Sequence, residues 1–152
     1  MMCVVSVDNS IRRLTRLSEK CISRYLQREK MKIADPSLVM DPLVTPTGEI
    51  IAEMIGKAVG DNANHSLARI VIPPGKSSNL HYHKVTEETY FILKGEAGMQ
   101  VNGERVHLIP GQACYLAPGD VHQIQNDGEA DLVFLAFCAP AWVPEDSFEV
   151  ED

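Results

Sequence analysis

A chain of 152 residues, 45% hydrophobic and 23% charged, has the size and composition of one globular domain with a single core. No apolar stretch approaches the roughly 18 residues that a membrane-spanning helix needs; the longest, residues 132–141, reads as a buried strand running into a proline turn. The formal charge of −7 is uneven, with seven Lys/Arg against three acids in residues 1–30 and seven against eighteen in residues 31–152, and so acidic a body argues against nucleic acid and anionic membrane as partners.

Residues 1–30 stand apart. Ile11, Leu14, Leu17, Cys21, Ile22, Tyr25 and Leu26 recur at three- and four-residue steps, an amphipathic helical pattern that Asn9 or Ser10 would cap. Three readings stay open: a helical extension packing on the domain or a partner, an organellar transit segment, or a stretch that is not native, with translation starting at Met31. Glu19 and Glu29 count against the second. The third is preferred, because residues 27–30 can be encoded by purine-rich codons resembling a bacterial ribosome-binding sequence. Cys3, Cys21, Cys114 and Cys138 show no disulfide-framework spacing, and no secretory apolar region opens the chain. Reduced thiols in a cytoplasm are therefore expected.

From Met31 the pattern is all-β. Residues 49–57 are ambiguous between strand and short helix. An apolar, β-branched strand is predicted over 67–72, and another, rich in Thr, Tyr, Phe and Ile, over 87–94. Residues 99–108 form a hairpin whose Asn102–Gly103 turn favours type I′. Strands follow over 112–116, from about His122, and over 131–137. Many short strands with turns every eight to twelve residues indicate a sandwich or jelly roll. Beyond Ala139 the reading is a docked tail, with Trp142 packed over a barrel edge; the alternative makes Trp142 a lid at a pocket mouth.

Two segments carry chemistry. Gly75, His81, His83, Glu88 and Gly95 fall in the pattern G-x5-H-x-H-x4-E-x6-G, and Gly111, Pro118, Gly119, His122 and Asn126 in G-x6-P-G-x2-H-x3-N. Residues two apart in a strand share a face, so His81 and His83 project together, about 7 Å apart along the strand. A lone strand histidine is ordinarily an exposed or satisfied side chain. Here three of five histidines fall in the two patterns, while His65 and His107 match nothing and suit surface or loop positions. Three imidazoles and a carboxylate suit one transition-metal ion.

Both segments resemble the two signature motifs of the cupin superfamily, written G-x5-H-x-H-x(3 or 4)-E-x6-G and G-x5-P-x-G-x2-H-x3-N. The first matches throughout. In the second, Ala117–Pro118–Gly119 stands where the family has Pro-x-Gly, so the proline is displaced by one while the His122 spacing is kept. The motifs span 75–126 and the likeness extends over roughly 45–140. The resemblance implies a jelly-roll (double-stranded β-helix) barrel over 31–152. It also implies His81, His83, Glu88 and His122 as ligands of one divalent transition metal (Fe, Mn, Zn, Ni, Co or Cu). Glu87 lies on the opposite strand face, and only Glu88 stands six residues before Gly95.

Such a site implies a metalloenzyme acting on a small molecule, of dioxygenase, isomerase or lyase type. The alternative is a non-catalytic barrel that binds or senses a small ligand. A sugar-phosphate isomerase is a weaker option, since only Arg69, Lys76 and Lys84 offer positive charge nearby. Glu88 either stays bound or dissociates to act as a base. Asn79 and Tyr90 share the interior face, and Tyr90 is a hydrogen-bond donor or packs. Phe91 and Leu93 point the other way, so a homodimer interface or the 49–57 segment is expected to cover them.

Overall fold

The computed structural model describes residues 33–60 and 64–150, so the readings of residues 1–30 lie outside the described residues. The strands are β1 (Leu43–Val44), β2 (Ile50–Ile55), β3 (Ser66–Ile72), β4 (His81–His83), β5 (Glu87–Lys94) and β6 (Ala97–Val101), then β7 (Glu104–Leu108), β8 (Ala113–Leu116), β9 (His122–Asn126), β10 (Leu132–Ala139) and β11 (Ser147–Glu149). Short 3-10 turns cover Pro36–Leu38 and Pro144–Asp146. The strands pair antiparallel in two sheets, β1-β2-β3-β10-β5-β8 and β11-β4-β9-β6-β7, which face each other as the expected all-β jelly roll. No helix among the described residues is long and apolar enough to cross a membrane.

The ambiguous stretch 49–57 is a strand. Its pairing with β3 settles what periodicity left open, because Ile51 and Glu53 fall opposite Ile70 and Ala68. Two elements escaped the sequence reading. β1 has two residues and β11 three, too short for any period to show. The segment after Ala139 is consequently no simple tail: it turns and returns as a strand of the second sheet. Residues 49–57 do not cover Phe91 and Leu93 either, since β3 and β10 lie between β2 and β5 in the same sheet.

The barrel interior changes character along its strands. At one end Ile72, Ile92, Met99, Ile124, Leu132 and Phe134 have no exposed surface, each worth roughly 1.5–3 kcal/mol on burial. Along β10 the inward row runs Leu132, Phe134, Ala136, Cys138, and along β3 it runs Ile72, Ile70, Ala68. Side chains shrink toward the other end, and there a cavity opens.

Turn residues account for several motif positions. Asn102 and Gly103 both have positive φ (50° and 86°), as a type I′ hairpin turn requires. Gly95 has φ +88°, and a Cβ there would come within 2.9 Å of Asp131 O and Leu132 Cα, so the glycine ending the first motif is required twice over.

Asn126, closing the second motif, is 2% exposed. It donates through Nδ2 to Ile72 O and Ala130 O, both at 2.8 Å, and accepts from Gly128 N at 2.9 Å. It clamps the β9–β10 turn onto β3. Replacing Asn126 with Ala strips partners from three backbone groups, each worth about 1–3 kcal/mol when buried. The expected result is a loss of about 3 kcal/mol or more, read from the urea midpoint; an unchanged midpoint would show that water replaces the amide.

Candidate metal centre

β4 is only three residues long, and it carries His81 and His83. On one side His81 pairs with His122 of β9; on the other, β11 runs beside it, with Ser147 opposite His83. Glu88 enters from β5 in the facing sheet. The residues come from three separate strands, yet one ligand atom from each of His81, His83, Glu88 and His122 lies within 4.8 Å of all the others. Glu87 is exposed, on the outer face as expected.

Each imidazole is fixed by its backbone. Nδ1 of His81 donates to Asn79 O, Nδ1 of His83 to Asp146 O and Nδ1 of His122 to Asp120 O, all at 2.8 Å. A carbonyl only accepts, so each Nδ1 carries the proton and each neutral ring keeps a bare lone pair on Nε2. Glu88 Oε2 stands 3.3 Å from His83 Nε2 and 3.2 Å from His122 Nε2. Glu88 Oε2 and His122 Nε2 are nonetheless buried without a hydrogen-bond partner. Lone pairs held this close repel unless a cation sits among them. The donor set therefore fits a metal ion, with three imidazole nitrogens and one carboxylate oxygen turned inward.

Burial and mutual charge act together on these groups. Burial opposes the charge on Glu88, but His122 and His83 outweigh it and hold its carboxyl well below the usual range. Burial likewise lowers His83, but Glu88 outweighs it and the net shift is upward. His81 is pushed down to about 4, first by burial and then by His122, so it stays neutral. Tyr90 is 3% exposed; burial and then the Glu88 charge raise its phenol well above its ordinary value. It keeps its proton, which leaves it able to donate a hydrogen bond.

The centre opens into a cavity of about 320 Å³, near the lower end of small-molecule sites. Asn79 and Tyr90 line it, as expected from strand alternation. Trp142 lines it too and is tethered through its backbone N–H to Ser66 Oγ at 3.0 Å, which replaces the docked-tail reading with a position in the cavity wall. His65 stacks on Phe137 and His107 lies exposed on β7, both away from the cavity lining. The displaced proline does no harm. Gly119 N–H donates to His83 O at 2.7 Å and Asp120 N–H to Ala117 O at 3.0 Å, closing the turn that delivers His122.

Three residues around the centre were missed. Cys138 is buried opposite Glu88, and its thiol donates to Glu88 Oε1 at 3.3 Å, leaving Oε2 to face the imidazoles. Glu49 is 8% exposed, lines the cavity, and has a pKa raised to about 7 by burial and then by Glu88. Asp146 is 9% exposed and accepts from the backbone N–H groups of Lys84, Val85 and Thr86 at 2.9–3.3 Å, while its own carbonyl holds His83. An acidic residue followed by three strand residues gives no periodic signal, and its partners lie about sixty positions upstream.

Asp146→Ala should release the β4–β5 turn and loosen His83. The three amides lose their acceptor, which costs about 3 kcal/mol, and metal affinity should fall at least tenfold, as outer-shell losses typically do. Asp146→Asn, keeping one acceptor oxygen, should fall between. Calorimetric metal titration and thermal melting check both, and wild-type affinity in Asp146→Ala would show that β11 alone holds His83.

The chain is similar to several known proteins. A cupin domain model matches residues 68–138. An uncharacterised protein of Methanocaldococcus jannaschii is 32% identical over 106 residues, covering 70% of this chain and 85% of that one. The Thermotoga maritima "oxalate-binding protein" is 39% identical over 90 residues, covering 59% and 74%. A solved structure from Thermotoga maritima, described as a predicted oxalate decarboxylase, superposes with a TM-score of 0.63 at 31% identity, covering 72% of this chain and 99% of that one. With the first motif matched throughout, the second kept at His122 and Asn126, and the four candidate ligands converged, the chain belongs to the cupin superfamily.

Proposed function

We propose that this protein binds one divalent transition-metal ion through His81, His83, Glu88 and His122 and acts on a small molecule admitted to the adjoining cavity, in a reaction of dioxygenase, isomerase or lyase type. The observation that carries this reading is the convergence of bare imidazole nitrogens on an unpartnered, buried carboxylate oxygen at the cavity floor. A bound ion supplies Lewis acidity and coordination positions for substrate, dioxygen or water. Tyr90 offers a proton-bearing donor at the floor, and Cys138 orients the Glu88 carboxylate.

A non-catalytic binding barrel is the second reading, favoured by the oxalate-binding name of the Thermotoga maritima relative. A sugar-phosphate substrate finds less support. Among the described residues no lysine or arginine lines the cavity. Arg69 alternates with the cavity-lining Ala68 and Ile70 and so faces outward, and the Lys84 ammonium sits 3.9 Å over the Phe148 ring.

Elemental analysis should find about one transition-metal ion per chain, lost in the double variant His81→Ala/His83→Ala, with a visible spectrum in the cobalt form that azide perturbs. Undiminished metal in the double variant would sink the site. A spectrum indifferent to azide would move the reading to a closed, structural ion.

The outer face of the larger sheet carries Phe91, Leu93 and Phe137, each at least 40% exposed. Contiguous apolar surface of this kind supports a homodimer, with a second copy of this chain as partner and reduced cytoplasmic conditions as its setting. Light scattering at micromolar concentration should give a dimer that Phe91→Glu converts to monomer; a monodisperse wild-type monomer would count against it.

A further inference from the structure

We propose that the cavity selects a ligand bearing a protonated amine, with Glu49 as the carboxylate that receives it; this rests on the metal-centred reading above. Glu49, Ile51 and Glu53 step along one face at the start of β2 and all reach the cavity wall. Asp41 lies at its outer end, and Glu149 reaches in from β11 on the opposite sheet. With Glu88 committed to the imidazoles, the lining groups beyond the metal cluster that can carry charge near neutral pH are carboxylates, Glu49 foremost, and no lysine or arginine among the described residues lines the wall.

The cavity is thus polarised along its depth. Beside it, the metal ion of the reading above would offset the charge of Glu88. Higher up, acceptors dominate, and Glu49 is the one withdrawn from water, at 8% exposure. The hydrogen bonds around it are to neutral groups: its backbone N–H donates to Thr45 Oγ1 at 3.0 Å, and the Thr45 hydroxyl donates to its carboxyl. A carboxylate removed from water is costly to hold without a cation opposite. The metal cluster independently marks the cavity as a ligand site, because Glu88, His81 and His83 line it and the buried Glu88 Oε2 among the imidazoles has no hydrogen-bond partner. Between the two ends, Ile51, Ile70 and Trp142 provide an apolar wall for a short carbon chain. The complementary molecule is short, with oxygen donors for the metal at one end and an ammonium at the other. A small dianion meets the carboxylates with the wrong sign of charge.

The test uses two metal-chelating probes that differ by one amine, propionohydroxamate and β-alanine hydroxamate, titrated into the cobalt-loaded full chain near neutral pH and followed in the visible spectrum. β-Alanine hydroxamate should bind about tenfold more tightly, the scale of one charge-assisted hydrogen bond. In Glu49→Gln the advantage should shrink to within about twofold, while cobalt content stays at one equivalent. Oxalate should bind more weakly than either probe. Equal affinities in the wild type overturn the inference without touching the metal reading, and so does oxalate as the tightest of the three. An amine preference that persists in Glu49→Gln overturns the role of Glu49. Two cobalt equivalents per chain, falling to one in Glu49→Gln, would make the carboxylates a second metal site instead. A protein that takes up no cobalt overturns the metal reading, and this inference with it.

Discussion

Four lone pairs aimed at one point are the constraint around which this fold is arranged. Neutral imidazoles rotate freely on an exposed strand, but here each ring is locked by a hydrogen bond from Nδ1 to a backbone carbonyl. The carbonyls belong to Asn79, Asp120 and Asp146, one just before β4, one in the turn before β9, one in the turn before β11. Orientation is therefore a property of main-chain geometry rather than of neighbouring side chains. The carboxylate comes from the opposite sheet, so closing the barrel and completing the donor set are the same event.

That arrangement is held by an interior built in two halves. The apolar half, centred on Phe134, Ile72 and Ile92, supplies the driving force, and its fully buried side chains leave no freedom for the strands to slip. A one-residue slip of β5 would turn Glu88 outward and bring Glu87 in. The polar half takes its shape from that register. Small residues at Ala68 and Ala136 leave room that larger side chains fill elsewhere on the same strands. The cavity follows from side-chain volume, with no break in the backbone ladder.

The sequence was most readable where the information is local. The spacing of His81, His83 and Glu88 reflects strand alternation and one turn, and Gly95, Gly103 and Gly119 mark backbone conformations open to glycine, so the all-β pattern was legible locally and the four converging residues through the likeness to the cupin motifs. What stayed hidden depends on tertiary neighbours. Glu49 opens a stretch whose apolar spacing suits helix as well as strand, and only pairing with β3 assigns it a face. Cys138 looked like any cysteine until the register of β10 on β5 set it opposite Glu88. Asp146 sits between a proline turn and a strand of three residues, and nothing near it in the chain names its partners.

The shortness of β11 has a kinetic consequence. An edge strand of three residues is among the first parts of a barrel to open in native-state fluctuations, at far less than the free energy of global unfolding. When β11 lifts, Asp146 goes with it, and His83 loses both its paired strand and the carbonyl that orients its ring. One of the four ligands is then released while the other three stay in place. An ion held by these four residues would thus have a way in and out each time this strap breathes, and amide exchange along residues 147–149 would report how often that door opens.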